Sequence, residues 1–184
     1  MISNFLTVWY SGSLINYSYL TMQGVFVTTL VLFLTIFITG IGEHASKWMH
    51  EWLLFMFATC WVMEIMITAV YWPFLHTIFL AREGLPKTQL FYLHMCSIHA
   101  SPLIALTLNF LLSKRIVFAF NKRVALFIWV YFFFYMGCNY LGQLKKGVPL
   151  YPFTDWNKPF QAFGASFGLF LILNAGFYMM AKGT

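Results

Sequence analysis

Charge is what this sequence has least of. Asp, Glu, Lys and Arg make up 9% of its 184 residues, where a soluble domain of that length carries roughly a quarter to keep its surface in water. Five acids and eleven Lys or Arg cannot coat a globule of this size, so a soluble fold is excluded. No Asp, Glu, Lys, Arg or His occurs before Glu43; the basic start of a secretory signal and an Arg-rich transit peptide are therefore not expected. Cysteine is scarce too. Cys60, Cys96 and Cys138 are odd in number, sit inside apolar runs and lack CxxC or zinc-type spacing, so they read as packing residues rather than disulfides or metal ligands. HxxxH, HExxH, GxSxG, Walker and GxGxxG patterns are absent, and no cofactor is expected. Internal repeats and low-complexity tracts are missing as well.

What the chain does have is apolar length. Hydrophobic residues make up 61% and aromatics 21%, with a mean hydropathy of +0.75. A helix needs about twenty apolar residues to cross a hydrocarbon layer of roughly 30 Å. Five runs qualify, at about 20–41, 52–72 (stopped by Pro73), 89–113, 124–142 and 160–181. They are continuously apolar, whereas a membrane strand alternates over about ten residues. The expectation is an all-α integral membrane bundle of about five transmembrane helices. It forms one domain over 1–184, preceded by a short interfacial segment at 1–18 that mixes aromatics with Ser, Gly and Asn.

The net charge of +6 sits in short loops between the runs. Basic residues there contact anionic headgroups or set topology, so membrane lipids are the expected partners and nucleic acid is not. Five crossings put five Lys or Arg on the N-terminal side and six on the other, so the positive-inside rule assigns no orientation.

Polar groups at membrane depth are costly and invite functional hypotheses. Thr21 opens the first run. His94 and His99 enter the third from the same side, at roughly 8 and 15 Å of helical rise, and Glu64 lies roughly 12 Å below the exit of the second. The loop carrying Tyr151, Pro152 and Phe153 closes over that side. A hydroxyl, an imidazole and a carboxylate under one lid suit acyl transfer: the imidazole takes the threonine proton and the carboxylate orients the imidazole. Each residue also has a plainer use, Thr21 as a helix cap, the histidines and Glu64 as hydrogen-bonded packing groups. His94 and His99 are five apart, not the three or four that sets two ligands on one helical face. A buried proton or ion site at Glu64 and His99 would suit a transporter, but transporter folds are commonly built from internal repeats.

The segments YLTMQGVFVTTLVLF, LHMCSIHASPLIALTL and GVPLYPF together resemble one family, in order and over about 17–181. It comprises the androgen-induced and androgen-dependent multi-pass membrane proteins, threonine hydrolases of fatty acid esters of hydroxy fatty acids. Gly147 to Phe153 is the most specific element. The resemblance implies a catalytic threonine at the start of the first core span, Thr21, and a histidine in the helix before the proline, Pro102. An ungapped match on Pro102 sets His94 on a family histidine and Ser97 at the catalytic position; His99 takes that position with a register shift of two. Tyr151 and Phe153, with Glu64, are then the binding residues. Two functions follow as expectations. One is a lipid ester hydrolase, in the endoplasmic reticulum or plasma membrane by the resemblance. The other is a catalytically silent member acting as an accessory subunit among other membrane protein subunits, for example in a respiratory-chain assembly of the mitochondrial inner membrane.

Overall fold

A computed structural model describes residues 19–81, 88–112 and 122–182. The expected interfacial segment at 1–18, the loop charges Arg82, Glu83 and Lys87, and Lys114 and Arg115 lie outside these residues. Helix accounts for 87% of the described residues, and there is no strand among them.

The first helix, α1 (Leu20–Ile41), begins and ends where the apolar run does. Gly42, at φ 55°, turns the chain out of it into a short 3-10 turn, Gly42–His44, a backbone region that favours glycine. Helix α2 (Lys47–Val70) starts at Ser46, whose hydroxyl accepts the Met49 N–H at 3.3 Å, an ordinary N-cap.

Pro73 does not stop this second run, contrary to expectation. The chain widens into a π turn, Tyr71–Leu75, and continues as α3, His76–Leu80. Proline lacks an N–H and crowds the preceding turn. A wider turn absorbs both defects, with the His76 N–H reaching back five residues to the Tyr71 carbonyl.

The third run, expected as one helix, is two: α4 (Gln89–His99) and α5 (Ser101–Leu112), bent by 46°. Pro102 is the cause, because its ring cannot follow the Ile98 carbonyl inside a continuous helix but is tolerated in the first turn of a new one. Ala100 makes the break, at φ −129° and ψ −43°. Helices α6 (Lys122–Lys146) and α7 (Pro159–Lys182) complete the set; α6 runs four residues past the expected end, to a turn at Gly147 with φ 72°.

Among the described residues three runs are long and apolar enough to cross a membrane, Leu20–His44, Lys47–Ile78 and Lys122–Lys146, with a fourth if the bent pair α4–α5 counts as one span. The apolar stretch counted in α7, Pro159–Ala175, is shorter. In the second run 56% of the apolar window is buried, against 33% in the first and in α6, so α2 is the central helix, packed by α1, α5, α6 and α7. Large side chains such as Phe33, Ile36, Leu112 and Leu126 remain exposed on the outer faces. That is ordinary for a surface whose solvent is lipid.

Candidate active site

Both irregularities in the helices bear on one histidine. His99 is the last residue of α4, immediately before the break. Beyond the break its carbonyl accepts the Thr68 hydroxyl of α2 at 2.8 Å. The imidazole, 8% exposed, lies flat on Tyr71, the first residue of the π turn, with ring centroids 3.4 Å apart and planes 6° from parallel. Tyr71 in turn pairs its hydroxyl with Nδ1 of His76 at 3.2 Å. Pro102 sets the end of α4 and Pro73 the turn that carries Tyr71, and between them they fix the imidazole on two sides.

Thr21 faces this imidazole, its Oγ1 3.5 Å from His99 Nδ1. The distance exceeds the 2.6–3.2 Å of a tight nucleophile–base pair, as is common before substrate closes such a site. Thr21 is not the helix cap: Tyr19 occupies that position and offers no side-chain hydrogen bond.

The cap comes from far along the chain. The phenol oxygen of Tyr151 accepts the Leu20 N–H at 3.1 Å, and Thr21 and Tyr135 line the same cavity as Tyr151. Tyr19 packs edge-on to Tyr151 and Phe153 stacks on it, with centroids 5.8 and 5.6 Å away. Burial pushes the Tyr151 phenol up to about 12, so at neutral pH it keeps its proton and can donate.

The loop bearing Tyr151, residues 147–158, is tied down by α6. Asn139, fully buried, accepts the Trp156 indole N–H at 2.8 Å and donates to Tyr135 at 3.2 Å. Gln143 accepts the Trp156 backbone N–H at 2.9 Å and donates to Asp155 at 3.1 Å. The Asp155 carboxyl is held below its ordinary value, first by the Asn157 backbone N–H at 3.0 Å and then by the Gln143 amide. Lys146 donates to the Tyr19 hydroxyl at 2.7 Å.

Thr21, His99, Tyr71, Tyr151 and Phe153 line one cavity of about 40 Å³, together with apolar side chains of α2, α6 and α7. A second cavity of about 20 Å³ shares Leu20, Met66, Phe132 and Tyr135 with it and is also lined by Tyr131 of α6 and Leu173 of α7. Both are mostly apolar, and the hydroxyl–imidazole pair lies on the wall of the first. Ser166 of α7 also lines the first cavity; it is 6% exposed and its Oγ has no hydrogen-bond partner.

Of the remaining expected residues, His94 is half-buried and does not line the cavity. Glu64 is fully buried but lies outside the cavity wall as well. Its carboxyl accepts the Thr28 hydroxyl at 2.9 Å, beside Cys60, and its second oxygen has no partner. Tyr71, Thr68, Tyr135 and Ser166 were not expected at the site. A tyrosine two residues before a mid-run proline is the one signal that marked any of them. Among the described residues no group of His, Cys, Asp and Glu could hold a metal ion.

No family model, curated protein or solved structure matches the chain.

Proposed function

We propose that the chain is a multi-pass membrane hydrolase of lipid esters, akin to the threonine hydrolases it resembles, with Thr21 as nucleophile and His99 as base. The observation that carries this reading is the 3.5 Å approach of Thr21 Oγ1 to His99 Nδ1 on the wall of an apolar cavity. The five crossings would be α1, α2 with α3, the bent pair α4–α5, α6 and α7.

In this reading an ester enters from the lipid with its carbonyl at the Thr21–His99 pair and its acyl chain against the apolar side chains around it. Thr21 Oγ1 bonds to the carbonyl carbon as its proton passes to His99 Nδ1. The ester C–O bond then breaks, and the departing alkoxide takes that proton. Water, deprotonated by the same imidazole, cleaves the acyl-threonine and returns both residues to their starting state. Phe153 and Tyr151 bound the head of the cavity and Met66 and Leu169 its body, a lining suited to an acyl chain. The direct approach of hydroxyl to imidazole also favours this reading over an accessory subunit, where packed side chains would be expected between them.

The test is turnover of a fatty acid ester of a hydroxy fatty acid by the full chain in lipid nanodiscs. Thr21→Ala is expected to abolish it, and His99→Ala to lower it by about 10²–10⁴-fold, the usual worth of a general base. His94→Ala should leave it within about threefold. Equal turnover by wild type and Thr21→Ala would overturn the reading; a wild type with no turnover would favour the accessory subunit.

A further inference from the structure

We infer that Tyr151 is a catalytic residue of this site, its phenol O–H donating to the oxyanion that forms when Thr21 attacks an ester; the inference rests on the hydrolase reading above. A nucleophile and a base account for the proton but leave the negative charge on the carbonyl oxygen. Groups pre-aimed at that charge commonly supply the largest part of the rate. Among the described residues no Lys or Arg lines the cavity, so the donors on its wall that can meet the charge are neutral.

Tyr151 is where such donors gather. Its oxygen lies 3.1 Å from the nitrogen of Leu20, the residue before Thr21, and both Tyr151 and Thr21 line one cavity, so a carbonyl carbon bonded to Thr21 Oγ1 brings its oxygen beside the phenol. The Leu20 N–H, one of the first of α1 and without a partner inside the helix, is taken up by the Tyr151 oxygen, so the phenol's own O–H is the donor left for an incoming oxyanion.

The donor is also held still. Phe153 stacks on its ring, Tyr19 meets its edge, and the loop that carries it is tied to α6 by Trp156 bonded to Asn139. A donor fixed before the reaction needs no reorganisation during it. Independently, the unpaired and buried Ser166 Oγ on the same wall shows that the cavity has hydrogen-bonding capacity to spare for a ligand. In the step itself, the carbonyl π electrons move to oxygen as the Thr21 Oγ1–carbon bond forms. The oxyanion accepts the Tyr151 hydrogen bond without taking its proton. Collapse re-forms the carbonyl and expels the alkoxide, which is protonated by His99.

Tyr151→Phe tests this in nanodisc-embedded full chain, since it keeps the ring contacts and removes the hydroxyl. The expected result is a fall in kcat of about 10²–10³-fold with KM within about twofold. A trifluoromethyl ketone bearing the substrate's acyl chain, which forms an oxyanion on Thr21, should lose affinity in parallel. The corresponding unreactive ether should bind as before; a merely structural role would weaken both. The substitution also uncaps α1, so a second variant carries 3-fluorotyrosine at 151, which leaves every contact in place and makes the phenol a stronger donor. Its kcat should change with donor strength. A Tyr151→Phe kcat within threefold of wild type, equal loss of both inhibitors, or an unaltered fluorotyrosine rate overturns the inference while leaving Thr21 and His99 standing. Loss of the hydrolase reading shows differently, as a wild type no faster than Thr21→Ala.

Discussion

At position 24 the lack of a side chain is what lets a carboxylic acid sit between two helices. A Cβ on Gly24 would lie 2.6 Å from Glu64 Oε1 and 2.5 Å from Ile67 Cδ1. The isoleucine methyl can turn aside, but Glu64 is fully buried and already bonded to Thr28. Small residues permit close helix approach in membranes, and here the approach accommodates a carboxyl as well as a backbone. Gly24→Ala is therefore expected to destabilise the fold by about 1–3 kcal/mol, the usual cost of overpacking. A lower midpoint on heating the detergent-solubilised protein would register it, and an unchanged midpoint would refute it. That Glu64 would be buried was legible from its place in an apolar run. Its partner was not. The rotational setting of α2 against α1 decides whether a carboxyl meets a histidine or a threonine, and nothing local to Glu64 encodes that angle. The choice between His94 and His99 has the same character, because the bend after His99 changes what each turn of α4 faces.

Among the elements, the two prolines show opposite limits of reading a sequence. Pro102 bends its run and Pro73 does not stop its own, although both sit in apolar stretches of similar length. What separates them is the π turn at Tyr71–Leu75, a pairing pattern with no composition signature. The outer bounds of α1 were legible because the apolar run and the helix end together. Pro102→Ala restores an N–H for the Ile98 carbonyl and removes the steric reason for the bend. Helices α4 and α5 should straighten toward one rod, drawing the His99 carbonyl from Thr68. In the hydrolase reading, turnover should fall at least about tenfold, the effect of misplacing a base by about an ångström, while the melting midpoint holds or rises. Turnover equal to wild type would show that the bend does not set the imidazole. The loop over residues 147–158 answers to pH instead. The Asp155 carboxyl is depressed in the folded state, so its contribution is present above the ordinary carboxylate value and is lost as pH falls through the lower, folded value. Protease cleavage within the loop should rise only in strong acid, and Asp155→Asn, which cannot titrate, should lack that rise.

On the scale of the whole molecule, the membrane class was legible from composition alone, because too few charges for a water-facing surface leaves lipid as the solvent. The number of crossings was less so; it depends on whether α7 traverses the bilayer or ends within it. Five crossings put the residues before α1 and after α7 on opposite faces. Single cysteines introduced at positions 3 and 184 of a variant lacking the native three should react with a membrane-impermeant maleimide from opposite sides of sealed vesicles. Labelling from one side would mean an even number. The reach of Tyr151 back to Leu20, 131 positions along the chain, has a consequence for biogenesis. A ribosome delivers α1 to the bilayer long before the phenol that caps it has been made, so the first turn of α1 waits, uncapped, for most of translation. A truncated or stalled chain that ends before Tyr151 therefore carries α1 with its first N–H uncapped.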